Sequence, residues 1–213
     1  MVFGREPIPG AVKTRLAAGV GEEAAALVYL ELLRHTLEVA ASVDADVLLA
    51  LAEPPARGFR PLLEVAVEIQ AAGDLGCRLA DAFGRRFSEG YERVVVIGSD
   101  CPGLRPRHLD AALAGLAERP AALGPTADGG YWSIGLCRPA PGLFERMPWS
   151  TAHVLEDTRR RLRALGIDWL ELETLRDLDT AADLEWALEA ASSEDLGRRL
   201  RHALESVHAG GAW

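Results

Sequence analysis

Four loops of this sequence are rich in glycine, proline and aspartate, and each follows or enters a segment typical of a β-strand. They are residues 4–10, 99–102, 128–130 and 177–180. Open α/β sheets bind their ligands outside the carboxyl ends of the strands, so we expect these four loops to converge on one site. Their residue types favour the binding of phosphate and of a divalent cation.

The first loop runs into a short predicted helix that carries Lys13 and Arg15 in its first turn. The amino end of a helix favours an anion, and Gly10 permits a backbone shape that brings N–H groups close to one. Arg5 adds a third cation. Two interpretations stay open here: a loop that binds a diphosphate, or a turn followed by ordinary surface cations. It is not a Walker loop, because the Gly-Lys-Ser/Thr order is absent.

Asp100 follows the most buried predicted strand, whose four consecutive β-branched residues are typical of a central parallel strand. Mg²⁺ takes hard oxygen ligands and few protein carboxylates, leaving the other positions to water and phosphate. We therefore expect Asp100 to hold Mg²⁺ or Mn²⁺, with Asp179 from another strand end completing the site. The alternatives are a helix cap or loop anchor for Asp100 and a helix cap for Asp179.

The segment Asp128-Gly129-Gly130 would let the backbone come close to a ligand, or it is a tight turn that enters a strand. Asp128 is the candidate general base. Cys101 adjoins Asp100, but a nucleophilic thiolate needs a nearby base or a lowered pKa, and none is evident. We therefore predict that Cys101 is not a nucleophile.

Predicted strands and helices alternate along the chain, which favours an α/β fold with a mostly parallel sheet flanked by helices. We expect residues 1–190 to form one domain and residues 191–213 to add a helix and tail packed on it. A capping box of Thr180 and Asp183 starts a helix. The predicted strands are 1–3, 46–52, 65–69, 93–98, 131–136 and 167–172, and the predicted helices are 12–18, 22–43, 78–87, 107–118, 151–165 and about 192–208.

Composition excludes several classes of protein. A net charge of -9 argues against binding DNA or RNA through phosphate neutralisation. Three cysteines fit neither a disulfide framework nor a zinc pattern, which favours the reducing cytoplasm. Residues 1–5 begin no long apolar stretch, and no uncharged apolar run reaches roughly 18–20 residues, so we expect neither a signal peptide nor a membrane span.

Taken together, the motifs resemble those of bacterial glycosyltransferase-like proteins with a GT-A, nucleotide-diphospho-sugar transferase fold, some of them tied to arsenosugar pathways. The resemblance covers roughly residues 3–186, with a shorter apolar start and with Arg5 where a lysine is common. The motifs are Pro7-x-Pro9-Gly10-x-x-Lys13-Thr14-Arg15-Leu16, Gln70-x-x-Gly73-Asp74-Leu75-Gly76-x-Arg78-Leu79, Gly98-Ser99-Asp100-Cys101-Pro102, Gly124-Pro125-x-x-Asp128-Gly129-Gly130-Tyr131, Trp149-Ser150-Thr151 and Asp177-x-Asp179-Thr180.

This resemblance implies a single-domain GT-A fold, a nucleotide-sugar donor, a metal held by an aspartate like Asp100, and a basic first loop on the diphosphate. The residues expected to contact the nucleotide are Arg5, Pro9, Gly10, Lys13, Arg15, Gly73, Asp74, Ser99, Gly129 and Gly130. More distantly, the Lys-Thr-Arg-Leu segment and the Asp-x-Pro after a central strand are similar to 2-phospholactate guanylyltransferase.

We therefore expect a transferase, with a metal-dependent glycosyltransferase acting on a small-molecule acceptor as the first hypothesis. The aromatic surface of the segment from Asp128 to Trp132 favours a sugar. A nucleotidyltransferase that uses a nucleoside triphosphate, modifies a phosphorylated small molecule and releases pyrophosphate is the second. A non-catalytic nucleotide-binding protein is the third, because only one aspartate follows Ser99 where many glycosyltransferases have Asp-x-Asp. Whether the chain forms a homodimer is left open.

Overall fold

A seven-stranded sheet forms the centre of the molecule. The computed structural model describes residues 1–56, 64–190 and 195–208. The order of strands is β3-β2-β1-β4-β6-β5-β7, and only β6 runs antiparallel to its neighbours within the described chain. The predicted α/β class with a mostly parallel sheet is confirmed. The strands are β1 (Val2–Gly4), β2 (Leu48–Leu51), β3 (Ala66–Ile69), β4 (Val94–Ile97), β5 (Ala121–Pro125), β6 (Tyr131–Leu136) and β7 (Trp169–Glu171).

The antiparallel β6 is a departure from a regular alternation of strands and helices. Only residues 126–130 separate β5 from β6, and a parallel crossover needs a dozen or more residues. The two strands therefore form a hairpin, with Leu123 opposite Ile134. Both side chains are fully buried. The strand β5 is not among the strands predicted from the sequence.

Seven helices occupy the described residues: α1 (Thr14–Val20), α2 (Glu22–Ala41), α3 (Leu75–Ser88), α4 (Pro106–Glu118), α5 (Val154–Ala164), α6 (Ala181–Ala190) and α7 (Asp195–His208). The helix predicted from residue 78 begins at Leu75, because Asp74 caps it by accepting a hydrogen bond from the N–H of Cys77 over 2.9 Å. The predicted start of the last helix at residue 192 and the predicted frayed tail at 209–213 lie outside the described residues.

Apolar side chains cover both faces of the sheet. Along β4, Val94 and Val96 belong to a cluster with residues of α3 and α5, whereas Ile97 belongs to one with residues of α2 and α4. Successive strand residues point to opposite faces, so each face packs against its own pair of helices.

A third cluster joins α1, α2, α6 and α7. Leu196 and Leu200 of α7 pack there with Val28 and Leu32 of α2. Leu178 is fully buried in the same cluster, so the loop that carries Asp179 is anchored by its apolar neighbour. None of the helices among the described residues is both long and apolar enough to cross a membrane.

Candidate functional site

A cleft of about 770 Å³ opens where strands β1 to β4 end. We call it the carboxyl-end cleft. Three of the four loops that were predicted to converge contribute to its walls, together with the starts of α1 and α3 and the loop after β6. Its lining includes Arg5, Lys13, Arg15, Tyr29, Gln70, Gly73, Asp74, Arg78, Ser99, Asp100, Trp149, Ser150 and Asp179.

Lys13 lies between two carboxylates at the floor of this cleft. Its ammonium is 2.5 Å from Oδ1 of Asp100 and 2.8 Å from Oδ1 of Asp179. The side chain is only 6% exposed. The backbone of Lys13 is left-handed, with φ of 47°, and it precedes α1, which explains why that helix begins at Thr14 and not at residue 12. A non-glycine residue in this conformation costs roughly 1–2 kcal/mol, so the surrounding contacts must hold it there.

The charges around Lys13 are closely coupled. Burial would lower the pKa of the Lys13 amine, but Asp100 and Asp179 outweigh it and raise the pKa above its usual value. Arg15, which is largely exposed, forms an ion pair with the other oxygen of Asp179. The two cations that we expect to bind phosphate are therefore paired with the two carboxylates that we expect to bind metal.

A buried hydroxyl joins the first loop to the loop after β4. The hydroxyl of Tyr29, on α2, accepts a hydrogen bond from the backbone N–H of Arg5 over 2.9 Å. The same hydroxyl lies 3.0 Å from Oγ of Ser99. Burial, followed by the nearby charge of Asp100, raises the pKa of Tyr29, so the phenol stays protonated. Tyr29 thereby links the backbone of the first loop to the side chain of Ser99 in the loop after β4.

The donor set fits a divalent cation. Oxygens of Asp100 and Asp179 converge on a single point, which the ammonium of Lys13 marks by its two short contacts. Both donors are the hard oxygens that Mg²⁺ and Mn²⁺ prefer. Among the described residues, no group of three or more histidine, cysteine or acidic side chains is placed to hold a metal. A cation here would therefore complete its shell with water and phosphate, as Mg²⁺ usually does.

Cys101 and Asp177 form a buried pair beside these carboxylates. The thiol of Cys101 donates to Oδ1 of Asp177 over 2.8 Å. Burial, followed by the charge of Asp177, raises the pKa of the Cys101 thiol. Burial also raises the pKa of Asp177, to about 7. A thiol held protonated is a poor nucleophile, in keeping with the prediction made for Cys101.

The hairpin loop at residues 128–130 contacts other parts of the protein and does not line the carboxyl-end cleft. Oδ1 of Asp128 accepts hydrogen bonds from Oγ1 of Thr126 over 2.6 Å and from the N–H of Gly130 over 3.1 Å. Gly129 has φ of 89°, and a Cβ on it would overlap the carbonyl oxygen of Ala152. The close approach that Gly129 allows is thus to the protein backbone at Ala152. The general-base role of Asp128 stays a prediction.

Some residues that were expected to contact the nucleotide or a sugar lie elsewhere in the structure. Pro9, Gly10 and residues 128–130 are not among the described residues that line the carboxyl-end cleft. A Cβ on Gly10 would approach the carboxylate of Glu22 at 3.1 Å. Trp132 is 3% exposed and donates its indole N–H to the carbonyl of Glu173 over 3.0 Å, so it is a core residue and offers no surface to a sugar.

Several lining residues were not identified from the sequence. Gln70 and Arg78 belong to the second motif, yet their side chains were not assigned a role. Gln70 donates to the carbonyl of Ala50 over 2.7 Å, and Arg78 donates to the carbonyl of Gly73 over 3.1 Å. Tyr29 carried no signal, because an aromatic residue within a helix is usually packing.

Solved structures of several proteins share this architecture. A protein of Desulfovibrio desulfuricans G20, provisionally assigned as a nucleotide-diphospho-sugar transferase, superposes with a TM-score of 0.87 at 29% identity, over 96% of this chain and 95% of that one. CMP:2-keto-3-deoxy-manno-octonic acid synthetase in complex with CTP shares the fold at a TM-score of 0.56 and 16% identity, over 90% and 97% of the two chains. Rv0371c of Mycobacterium tuberculosis H37Rv with manganese shares it at 0.55 and 19%, over 89% and 96%.

Sequence comparison finds a relative that covers most of the chain and a family that matches more than half of it. A phosphoenolpyruvate guanylyltransferase of Sphaerobacter thermophilus is 30% identical over 198 residues, which are 87% of this chain and 92% of the relative. The expectation of a transferase is confirmed at this level. Residues 34–151, more than half of the chain, match the bacterial family described as "Uncharacterized protein conserved in bacteria (DUF2064)". The chain therefore belongs to the DUF2064 family.

Proposed function

We propose that this protein is a metal-dependent nucleotidyltransferase. It transfers a nucleoside monophosphate from a nucleoside triphosphate to a small anionic acceptor and releases pyrophosphate. This reverses the order of the two leading hypotheses from the sequence, in which glycosyl transfer came first. The relative from Sphaerobacter thermophilus, a guanylyltransferase by name, supports the change and makes GTP the first donor to test.

The observation that carries the proposal is that each carboxylate lining the cleft already has a hydrogen-bond or ion-pair partner. Asp100 and Asp179 are paired with Lys13 and Arg15, and Asp74 caps α3. Within the described residues, each acid of the cleft is thus engaged, and none is available as a general base. Transfer to a neutral hydroxyl benefits from such a base. A phosphate or carboxylate acceptor is already ionised at neutral pH and needs none.

Two further cations of the cleft suit an anionic acceptor. Arg5 and Arg78 line the same cavity, and neither pairs with a carboxylate among the residues that the structure describes. Arg78 donates to the carbonyl of Gly73 and to the side-chain oxygen of Gln70, which leaves other guanidinium donors for a ligand. A guanidinium binds carboxylate or phosphate through two parallel hydrogen bonds. These side chains would therefore orient the acceptor oxygen towards the donor.

The chemistry follows from the placement of these groups. An oxygen of the acceptor attacks the α-phosphorus of the triphosphate, and the bond from that phosphorus to the bridging oxygen of the pyrophosphate breaks. Lys13 and Arg15 bind the β- and γ-phosphates and stabilise the charge that develops on the leaving pyrophosphate. A divalent cation held by Asp100 and Asp179 would neutralise part of the phosphate charge.

Glycosyl transfer stays the second candidate, because two observations favour it. The similarity to the protein of Desulfovibrio desulfuricans G20 extends over almost the whole of both chains. Trp149 lines the carboxyl-end cleft and could offer an aromatic face to a sugar ring. In that reaction the leaving group is a nucleoside diphosphate, so the released product distinguishes the two activities.

The test is product release by the full chain with Mg²⁺ or Mn²⁺. GTP, ATP, CTP and UTP are each incubated with a panel of phosphorylated and carboxylated small molecules that includes phosphoenolpyruvate. We expect stoichiometric pyrophosphate and a nucleotidylated acceptor, detected by mass spectrometry. Asp100→Asn should abolish both products, and Asp110→Asn, which removes the same charge from the exposed surface of α4, serves as the matched control. Nucleoside diphosphate release from a nucleotide sugar, without pyrophosphate from any triphosphate, would contradict the proposal.

A further inference from the structure

We propose that Lys13 occupies the position of the divalent cation, and that it leaves this position for phosphate when metal and nucleotide bind together. Metal and nucleotide would then bind cooperatively, with Lys13 as the residue that couples them. The first half concerns only the metal and the protein. The second half rests on the proposed nucleotidyltransferase function.

The geometry predicts a direct competition between the ammonium and a metal ion for the same two carboxylates. The ammonium of Lys13 lies within 2.8 Å of one oxygen from each candidate metal-binding carboxylate, Asp100 and Asp179. Mg²⁺ binds carboxylate oxygens at roughly 2.0–2.1 Å, so it would need nearly the same point in space. Two cations cannot share that point, because their repulsion in a poorly solvated site is strong. Lys13 must therefore move before the metal can bind both carboxylates.

The composition of the chain sets the ammonium at this position apart from its other cations. Lys13 is the only lysine in the sequence, and the other 22 of its 23 Lys and Arg residues are arginine. Arginine carries a planar fork of five donors, whereas lysine carries a compact point charge on a flexible stem. Only the compact group matches a metal-sized position, and its flexible stem allows it to swing from carboxylate to phosphate.

The balance of charge explains why the exchange would couple the two ligands. Without ligands, Lys13 and Arg15 match the two carboxylates one to one. A metal ion that binds alone displaces Lys13 and leaves its charge without an anion. A triphosphate that binds alone is repelled by the negative charges of the two carboxylates. When both bind, the metal satisfies Asp100 and Asp179 while the phosphates satisfy the displaced lysine. Each ligand therefore removes a cost from the binding of the other.

The decisive experiment measures metal binding without any nucleotide. Free Mn²⁺ is monitored by electron paramagnetic resonance as it is titrated into the full-length wild type, Lys13→Met and Arg78→Met. Lys13→Met should bind Mn²⁺ about tenfold or more tightly than the wild type, because the competitor is gone. Arg78→Met removes a cation from the same cleft that contacts neither carboxylate, so its change should be about twofold or less. An equal change in the two variants would overturn the proposal.

Uniform labelling of lysine gives a second measurement on the wild type, in case Lys13→Met fails to fold. With ¹³C-lysine, the protein has a single set of lysine side-chain signals, since Lys13 is the only lysine. Saturation with Mg²⁺ should shift the signal of the Lys13 ε-carbon away from its value in the ion pair. A signal that stays unchanged at saturating Mg²⁺ would show that the metal and the lysine do not compete.

Nucleotide binding completes the test and separates the two proposals. The wild type should bind GTP about 5- to 150-fold more tightly with Mg²⁺ than without it, and Lys13→Met should lose most of that ratio. If no triphosphate yields pyrophosphate but Lys13→Met still tightens Mn²⁺ binding, the competition stands and the proposed reaction falls. If pyrophosphate forms but the metal affinity of Lys13→Met is that of the wild type, the reaction stands and the competition falls.

Discussion

The backbone N–H of Leu178 donates a hydrogen bond to the carbonyl oxygen of Asp100 over 2.8 Å. These residues lie on loops that follow β4 and β7, which are separated in the sheet by β6 and β5. Leu178 is also fully buried among helices α1, α2, α6 and α7. The bond therefore holds the two candidate metal-binding loops together, and the oxygens of Asp100 and Asp179 are positioned before any ligand arrives.

Replacing either candidate metal-binding carboxylate should abolish metal-dependent activity without unfolding the protein. Asp100→Asn and Asp179→Asn each keep the shape of the side chain, and the backbone bond to Leu178 does not depend on either one. We expect each variant to lower kcat/KM by roughly a hundredfold or more, because the bound cation supplies several kcal/mol of charge stabilisation.

The measurement is pyrophosphate release as a function of Mg²⁺ concentration, with circular dichroism to check folding. Asp110→Asn is the control for the loss of one acidic charge. Metal dependence that is the same in Asp100→Asn as in the wild type would rule out Asp100 as a ligand.

Cys101 should be unreactive in the folded protein. The residue is 4% exposed, and its thiol donates to Asp177 and has a raised pKa; each of these disfavours the reactive thiolate. Cys77 provides an internal control, because it is exposed at the start of α3. Brief treatment with iodoacetamide followed by mass spectrometry should label Cys77 and spare Cys101, and Cys101→Ser should keep a substantial part of any activity. A substrate adduct trapped on Cys101 would show that the thiol is catalytic.

Gly76 and Gly84 provide a matched pair within α3. A Cβ on Gly76 would overlap the carbonyl oxygen of Phe144 and come within 3.0 Å of the indole nitrogen of Trp149, whereas a Cβ on Gly84 would meet nothing within 4 Å. Gly84→Ala should stabilise the protein by roughly 0.5–1 kcal/mol, since alanine favours the helix. Gly76→Ala should destabilise it by roughly 1–3 kcal/mol through overpacking.

Gly76→Ala should also weaken nucleotide binding, because Trp149 lines the carboxyl-end cleft and would be displaced. Thermal unfolding of the two variants measures the first effect, and titration with GTP measures the second. A Gly76→Ala variant as stable as Gly84→Ala would mean that the loop of Phe144 and Trp149 adapts without cost.

Much of the fold could be predicted because the local sequence pattern of an element and the burial of its side chains indicate the same structure. The β-branched run of β4 and the helical period of α2 each identify their own element. The pairing of β5 with β6 needed the length of the connecting loop, and a strand of small residues such as Ala121–Pro125 carries a weak signal.

The candidate site was predicted in part for a related reason. Loops that follow strands converge by topology, so Lys13, Asp100 and Asp179 could be expected near one another. Which groups pair with which depends on the directions of side chains that are 76 or more residues apart in sequence, and no local pattern encodes those directions. The ion pairs of Lys13, and the hydrogen bond between Cys101 and Asp177, therefore appeared only in the structure.

The capping box predicted at the start of α6 supports the loop of Asp179. Oδ2 of Asp183 accepts hydrogen bonds from the N–H and hydroxyl of Thr180, over 2.9 and 2.7 Å, and from the N–H of Asp179 over 3.2 Å. Its Oδ1 accepts from Arg176 over 2.7 Å. Burial alone would raise the pKa of Asp183, but these hydrogen bonds outweigh it and lower the pKa to about 2.

The lowered pKa of Asp183 makes its contribution to stability dependent on pH. The carboxylate is favoured in the folded chain, so its contribution is fully present above the ordinary pKa near 4 and is lost as the pH falls towards 2. Asp183→Asn should therefore lower the free energy of unfolding by about 1–2 kcal/mol at pH 7, and the difference from the wild type should shrink as the pH is lowered to 2.5. Chemical denaturation at both pH values measures this difference, with Asp110→Asn as a control that changes stability little at either pH.

Because Asp183 also holds the backbone of Asp179, the Asp183→Asn variant should bind Mn²⁺ more weakly at pH 7. A stability difference that is equal at pH 7 and pH 2.5 would show that the carboxylate charge of Asp183 is not what stabilises this loop.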